Sequence, residues 1–378
     1  MKLLKWIRSW RLWVKIAVLV LAVLLVVGGV FGVKAWQMVQ HAKDLVQNIQ
    51  DTGTIGTIDS AEVEQTVPEY QKDYLNLLVV GIDYDEGDEL RDYGSPEKAN
   101  TDLLLYVHYN VKDNKVSVLQ IPRDSCVGEL TSNQRINRIF AEGDNQENHI
   151  ANLAKYINEA FGLPVDKYIA LDMGAFKEIV DVFGGMEIYL PCDIYVYNED
   201  GSRTLMASAG YGRLNGDDAE IVVRARKQFG QQDLQRLVLQ RYVYAAMYRL
   251  IKSATLEDMY NYVLPIVSYR VKSDLDFDTM YSLCTKVLKL EGSDIYFVRV
   301  PGGSVTVNGQ SLYGVDAQAL APILNEHFRA AGEADRSAEE LTIPSGWNYT
   351  NGEVIDEGGY LSDQLAEYDA AVSASSEG

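Results

Sequence analysis

The chain has 378 residues, 47% of them hydrophobic, with 54 Asp and Glu against 34 Lys and Arg and a formal net charge of −20. That length and apolar content suit one large domain plus flanks. The acidity argues against DNA or RNA as a partner, because nucleic-acid binding rests on neutralising phosphates. Three cysteines are too few for a disulfide framework, and four histidines without Cys/His spacing make no case for zinc.

Residues 1–15 carry Lys2, Lys5, Arg8, Arg11 and Lys15 and no acid. Ile16 to Val33 is an uncharged run rich in Val, Leu and Ala, about 27 Å long as a helix and close to the thickness of bilayer hydrocarbon. Trp6, Trp10, Trp13 and Trp36 flank it as interface anchors. A transmembrane helix over 16–36 is expected, with the basic N-terminus cytoplasmic and the rest of the chain outside the cell membrane. The run is longer than a usual signal-peptide core and no small-x-small cleavage site follows it. Gly28 and Gly32 have GxxxG spacing, a weak sign of helix pairing in so Gly- and Val-rich a span. Beyond the anchor, 54 acidic residues stand against 29 basic ones, so any cluster of arginines there is a local exception.

Residues 37–73 read as a polar stalk. Leu75 to Asp83 predicts a buried strand ending in a glycine and an acid, and 85–98 a charged loop. Thr101–Tyr109 and Lys115–Ile121 predict two more strands joined by a turn at Asp113-Asn114. Asn148–Phe161 has helical periodicity, with Ile150, Leu153, Ile157 and Phe161 on one face. A strand over 167–171, a helix over 175–183, a Gly184-Gly185 turn and a strand over 186–190 follow. Residues 235–251 predict a long helix, and 277–330 a helix-strand-helix stretch. From Ala331 the composition turns acidic and Gly/Ser-rich, so 331–378 is expected to be a mobile tail. The mixed order predicts an α/β fold, an α-β-α sandwich around a mixed central sheet.

The chemistry concentrates in Val222-Val-Arg-Ala-Arg226, then Asp233-Leu-Gln-Arg236 and Gln240. Read as a strand, the first piece puts Arg224 and Arg226 on one face. Read as the start of a helix, the second puts Asp233, Arg236 and Gln240 along one side. Arginines gathered so closely repel one another unless a polyanion sits among them, and guanidinium suits bidentate phosphate recognition. At the strand ends stand Asp83, Asp102 and Ile121-Pro-Arg123-Asp124, where loops of an open α/β sheet gather ligands. Two carboxylates beside arginines suit a Mg²⁺ that bridges phosphate oxygens. Each acid taken singly fits a helix cap, a turn or a surface ion pair as well.

The order Gly81-Ile-Asp83, Thr101-Asp102, Ile121-Pro-Arg-Asp124, Arg135-Ile-Asn137, Gly184-Gly185, Leu214-Asn-Gly216, Arg224-x-Arg226, Asp233-x-x-Arg236 and Gln240 resembles the LytR-CpsA-Psr family of cell-wall glycopolymer ligases. The likeness covers about 74–250, with a family-like continuation to 330. The resemblance implies a Mg²⁺-dependent (or Mn²⁺-dependent) phosphotransferase in the cell membrane of a Gram-positive bacterium. It would move an anionic glycopolymer, of teichoic acid or capsule type, from an undecaprenyl-pyrophosphate carrier to a peptidoglycan hydroxyl. It also implies that Asp83 and Asp102 hold the metal and that Arg123, Arg224, Arg226 and Arg236 grip the pyrophosphate. Asp233 and Gln240 would orient those groups, and the lipid tail would lie in an apolar groove between sheet and helices. A non-catalytic binder of lipid-pyrophosphate glycans and a carrier pyrophosphate hydrolase are the alternatives.

The chain departs from the family pattern in three places. Asn100 stands where the family usually has Arg before Ser/Thr-Asp, with Lys98 or Arg91 as replacements from the loop. Leu239-Gln240 stands in place of Arg-Gln, with Arg241 displaced by one, and Arg135 replaces a lysine. Losing one charge-assisted phosphate contact costs about 1.5–3 kcal/mol. Cys126 and Cys192 either pair as a disulfide or stay as two buried thiols, and Cys284 reads as core. Tyr84, Tyr93 and Tyr106 are the tyrosines nearest an acceptor path, although most of the 24 read as core and surface.

Overall fold

The computed structural model describes residues 40, 43–44, 73–83, 98–197, 201–225, 232–350 and 358–376. The expected transmembrane helix over 16–36 and nearly all of the stalk lie outside them. Among the described residues no helix is long and apolar enough to cross a membrane.

A seven-stranded mixed sheet forms the centre. Its strands are β1 (Tyr74–Ile82), β2 (Thr101–Asn110), β3 (Lys115–Gln120), β4 (Lys167–Asp172), β9 (Val271–Ser273), β10 (Ile295–Arg299) and β13 (Gly359–Tyr360), in the spatial order β13-β10-β3-β2-β1-β4-β9. β1 runs parallel to β4 and β3 parallel to β10, while β2 is antiparallel to β1 and β3. The C-terminal ends of β1, β3, β4 and β10 therefore share one edge with the start of β2. Asp83, Asp102 and Arg123 all come to that edge.

The two faces of this sheet are buried differently. Leu78, Val80, Leu104, Tyr106, Leu119, Tyr168, Ala170 and Val298 form one face and are fully buried. They pack under α1 (His149–Phe161) and α7 (Ala317–His327), whose Ile150, Leu153, Ile157, Leu320 and Leu324 join the same core. Asn148 caps α1 through Ala151 N at 3.2 Å, and Gly162 ends it in the left-handed conformation at φ 65°.

On the other face, Val79, Leu103, Leu105, Val107, Val118, Ile169, Leu171 and Phe297 are half-buried, with Leu77, Tyr109, Gln120 and Arg299 buried among them. Register pairs such as Val79 with Leu105 and Val118 with Phe297 place them side by side. α4 (Gln232–Ser253) reaches this face through Tyr244, whose hydroxyl accepts from Gln120 Nε2 at 2.9 Å and whose ring lies 5.2 Å from Phe297. The cover is thus anchored at β3 and β10, and the apolar residues of this face are partly covered.

A second core joins α2 (Met173–Val182), α3 (Gly216–Arg224) and α4 to the antiparallel pair β5 (Met186–Leu190) and β8 (Gly210–Leu214). β6 (Ile194–Tyr197) and β7 (Arg203–Ala207) pair beyond it. α5 (Leu264–Arg270) and α6 (Phe277–Val287) flank β9 in the chain.

Two expectations are corrected. The 277–330 stretch contains a further hairpin, β11 (Gly302–Val307) and β12 (Gln310–Val315), turned at Asn308-Gly309 with φ 51° and 78°. The mobile tail expected over 331–378 is integral to the fold in its described residues. Leu341 and Ile343 enter the main core, Gly359–Tyr360 forms β13 on β10, and α8 (Leu361–Ser376) packs with Leu361 and Gln364 buried. A few apolar anchors hold this segment down in spite of its polar composition.

Candidate functional site

The site edge is assembled by backbone bonds between segments far apart in sequence. Asp83 N donates to Asn100 O at 2.9 Å, bringing the acid after β1 beside the residue before β2. The β1–β2 register slips between Gly81 and Ile82, so Asp102 lies at an irregularity that re-aims side chains. After β3, Ile121 is buried and Pro122 to Ser125 turns tightly, with Ser125 N on Pro122 O at 2.9 Å. The turn presents Arg123 and Asp124.

Arg123 Nη1 donates to both oxygens of Asp102, each at 2.7 Å, and Arg123 Nε lies 3.6 Å from Asp124. Asp124 also faces Arg135 Nε at 3.0 Å. The side chains of Arg123, Asp102, Asp124 and Arg135 are 15%, 22%, 21% and 26% exposed. All four are therefore sheltered yet within reach of a ligand, and charges of both signs alternate along the edge.

The Arg135-Ile-Asn137 motif has a structural role here. Ile136 and Asn137 are buried. Asn137 N donates to Arg123 O at 3.2 Å, and Thr101 Oγ1 donates to Asn137 O at 3.3 Å. The motif therefore ties the arginine turn to the start of β2.

Sequence reasoning missed Arg138. Its Nη1 donates to Asn100 Oδ1 at 3.4 Å and to Lys98 O at 3.3 Å, while Nε donates to Glu142 at 2.9 Å. Burial works against the Glu142 carboxylate, but hydrogen bonds from Ser132 and the Arg138 guanidinium hold its pKa below the usual range. A guanidinium thus stands beside Asn100, supplied from 38 residues away and not by the side chain of Lys98. Arg91 lies outside the described residues. The i,i+4 pairing of Arg138 with Glu142 was readable in the sequence; its approach to Asn100 was not.

The arginine-rich segment departs from its expected form. Ile221 to Arg224 is not a strand but the end of helix α3, and Ala225 follows in an extended conformation. Asn215 Oδ1 caps this helix at Asp218 N, 2.8 Å, and Gly216 N bonds Asp181 at 2.7 Å. A Cβ on Gly216 would stand 2.5 Å from Lys177 O, which explains Leu214-Asn-Gly216 as a close-packed helix start. Helical spacing buries Ala219 and Val222 together, overriding the β-branched Val222-Val223 pair. Arg224 is the last residue of α3, and strand alternation therefore does not place it with Arg226. Positions 233, 236 and 240 are helical, in α4, as expected. The side chains of Arg224, Arg226, Asp233, Arg236 and Gln240 lie outside the described residues.

The structure thus brings Asp102 and Arg123 into contact, with Asp83 beside them through Asn100. Asp83 and Asp102 offer hard oxygen donors from paired strand ends, the ligand type that Mg²⁺ takes. Among the described residues no group of three or more His, Cys, Asp or Glu is placed to hold a metal ion. Cys126 and Cys192 are free thiols in separate clusters, which decides against the disulfide. Tyr106 is wholly buried in the main core and bonds Pro164 O at 2.8 Å, so its hydroxyl is closed to an acceptor. Tyr84 and Tyr93 lie outside the described residues, as does the side chain of Cys284.

The chain is 28% identical over 268 residues to the Bacillus subtilis polyisoprenyl-teichoic acid–peptidoglycan teichoic acid transferase TagU, covering 68% of this chain and 78% of TagU. It is 26% identical over 236 residues to the B. subtilis enzyme of the same description, TagV, covering 60% and 56%. The crystal structure of B. subtilis TagV shares the fold with a TM-score of 0.53 at 22% identity, over 68% of this chain and 98% of TagV. TagT bound to LIIa-WTA superposes with a TM-score of 0.51 at 20% identity, over 75% and 98%. The LytR_cpsA_psr family profile matches residues 39–329, well over half of the sequence, and the chain belongs to that family.

Proposed function

We propose that this protein is a membrane-anchored, extracellular phosphotransferase. It takes an anionic glycopolymer from an undecaprenyl-pyrophosphate carrier and joins it to a peptidoglycan hydroxyl as a phosphodiester. The observation that carries this reading is the Asp102–Arg123 pair at the sheet edge, beside Asp83 and next to a half-buried apolar face. That combination suits a lipid pyrophosphate, whose charge and tail need opposite surroundings. The names of TagU and TagV as teichoic acid transferases support the same reaction class.

In this mechanism the isoprenoid lies along Val79, Leu105, Val107 and Val118, and burying that strip contributes about 25 cal/mol per Å². The pyrophosphate meets Arg123, whose guanidinium exchanges part of its bond to Asp102 for phosphate oxygens. Arg224 at the end of α3 and Arg236 in α4 add positive charge together with Arg226, with Asp233 and Gln240 orienting them. Asp83 and Asp102 would hold a Mg²⁺, which when bound neutralises charge on the phosphates. Phosphoryl transfer needs positioning and charge neutralisation more than covalent help, and this edge is arranged to give both.

The test uses the full chain in detergent with Mg²⁺, an undecaprenyl-pyrophosphate oligosaccharide and an uncross-linked peptidoglycan oligomer. Acceptor-linked phosphoglycan is read by mass spectrometry, with Arg123→Ala and Asp102→Ala as controls. Product that needs acceptor, metal and both residues establishes the transferase. Free phosphoglycan formed equally without acceptor establishes a hydrolase, and tight lipid binding without product establishes a binder.

A further inference from the structure

A cavity of about 360 Å³ opens at the same sheet edge, at the start of α7, and lies outside the arginine site. Asp316, Gln318, Glu339, Ser345, Trp347 and Tyr349 give it its character. We propose that it is a subsite for an uncharged sugar chain, the acceptor side of the transfer; this rests on the transferase reading above.

The aromatic wall is fixed in place. Trp347 and Tyr349 are half-buried against Cys126, Val305 and Leu312. The indole lies over Gly314, where a Cβ would come within 2.6 Å of it, and its Nε1 donates to Pro344 O at 3.2 Å. A held ring offers a flat apolar face without an ordering cost, which suits the C–H face of a sugar.

The polar wall is acidic. Gln318 Nε2 donates to Glu339 at 3.2 Å, and Asp316 Oδ1 caps α7 at Ala319 N, 3.0 Å. The lining contains no Lys or Arg. Carboxylates and an amide accept from sugar hydroxyls and repel phosphate, so the anionic donor polymer is a poor occupant and a neutral glycan a good one. Burial and the neighbouring Asp316 push the Tyr349 hydroxyl up to about 12, which keeps it a proton donor.

The position fits an acceptor. Tyr313 N donates to Asp124 O at 2.9 Å, and Cys126 N donates to Tyr313 O at 2.9 Å, so β12 is bonded to the arginine turn. Three residues later Asp316 N bonds Pro301 O at 2.8 Å, just past β10. Three extended residues span about 10 Å, within reach of a short oligosaccharide.

The experiment titrates chitotetraose into the full chain in detergent, by calorimetry, and measures the acceptor KM in the transfer assay. Binding is expected in the parent protein, with a loss of about tenfold in Gln318→Ala and a larger one in Trp347→Ala. Gln318 is exposed on the rim, so its variant reports on binding even where Trp347→Ala disturbs packing. Arg123→Ala should leave tetrasaccharide binding intact, and Gln318→Ala should raise the acceptor KM with kcat unchanged. No chitotetraose binding, equal binding by the parent and Gln318→Ala, or displacement by poly(glycerol phosphate) overturns the subsite. Transfer with an unchanged acceptor KM in Gln318→Ala overturns it while sparing the transferase. Tetrasaccharide binding lost in Gln318→Ala, with no transfer by the parent, supports the pocket and overturns the transferase.

Discussion

Arg123 and Asp102 meet through a single guanidinium nitrogen placed 2.7 Å from both carboxylate oxygens. The pair neutralises itself at rest, and in the proposed transferase it would open as a phosphate competes for the arginine. Asp102→Asn and Arg123→Lys should each lower transfer by about ten- to a hundredfold. The double variant should lose less than the product of the two, because both act on one bond. Melting temperatures should barely move, since partly exposed ion pairs contribute about 0–1 kcal/mol. Transfer rates and thermal melts of the four proteins check this.

Arg138 stands beside Asn100 in place of a loop cation. Arg138→Ala should weaken binding of the lipid-pyrophosphate donor by about tenfold. Asn100→Arg should restore it in that background and weaken the parent protein, where it would crowd two guanidiniums together. Donor affinity in the three variants decides the matter; restoration absent from the double variant would separate the two positions.

His108 sets a pH dependence of stability. Burial, with the charge of Arg329 behind it, pushes this imidazole down to about 4. Its Nδ1 pairs with Asn76 Oδ1 at 2.7 Å, and Tyr74 stacks on the ring. The unfolded chain takes up the proton first, near pH 6.5. Stability should therefore fall as pH drops from about 6.5 towards 4, by about 3 kcal/mol at most. Urea unfolding at pH 7.5 and 5.5 should show the loss, and His108→Gln should remove a large part of it.

The C-terminal segment should prove essential to folding. Leu341→Ala opens a cavity in the main core and should cost about 2–5 kcal/mol. Truncation after residue 330 should abolish the cooperative melt, whereas a mobile tail would be dispensable. Calorimetry of the two variants distinguishes these outcomes.

The strands were legible because their alternation is local: Leu75–Asp83, Thr101–Tyr109 and Lys115–Ile121 lie within two residues of the observed strands. α1 was equally plain from its apolar stripe. The misreading at Val222-Val223 came from β-propensity, which lost to the Asn215 cap and the helical burial of Ala219 and Val222. The hairpin at Asn308-Gly309 carried a readable turn dipeptide, so that signal was available. The tail was misjudged because composition averages over a segment while burial depends on single anchors such as Leu341. Asp83, Asp102 and Arg123 could be named from strand ends. Arg138 and the Trp347 cavity depend on contacts between distant segments, which no local pattern records.

One boundary of the sheet depends on two residues, Gly359 and Tyr360. Tyr296 and Phe297 of β10 pair with Tyr360 and Gly359. A chain ending before residue 358 presents β10 as an open edge, with unpaired amides and carbonyls ready to template a strand from another copy. This edge of β10 is thus capped only once residues 359 and 360 have been made, and a fragment ending before them would be prone to aggregate through it.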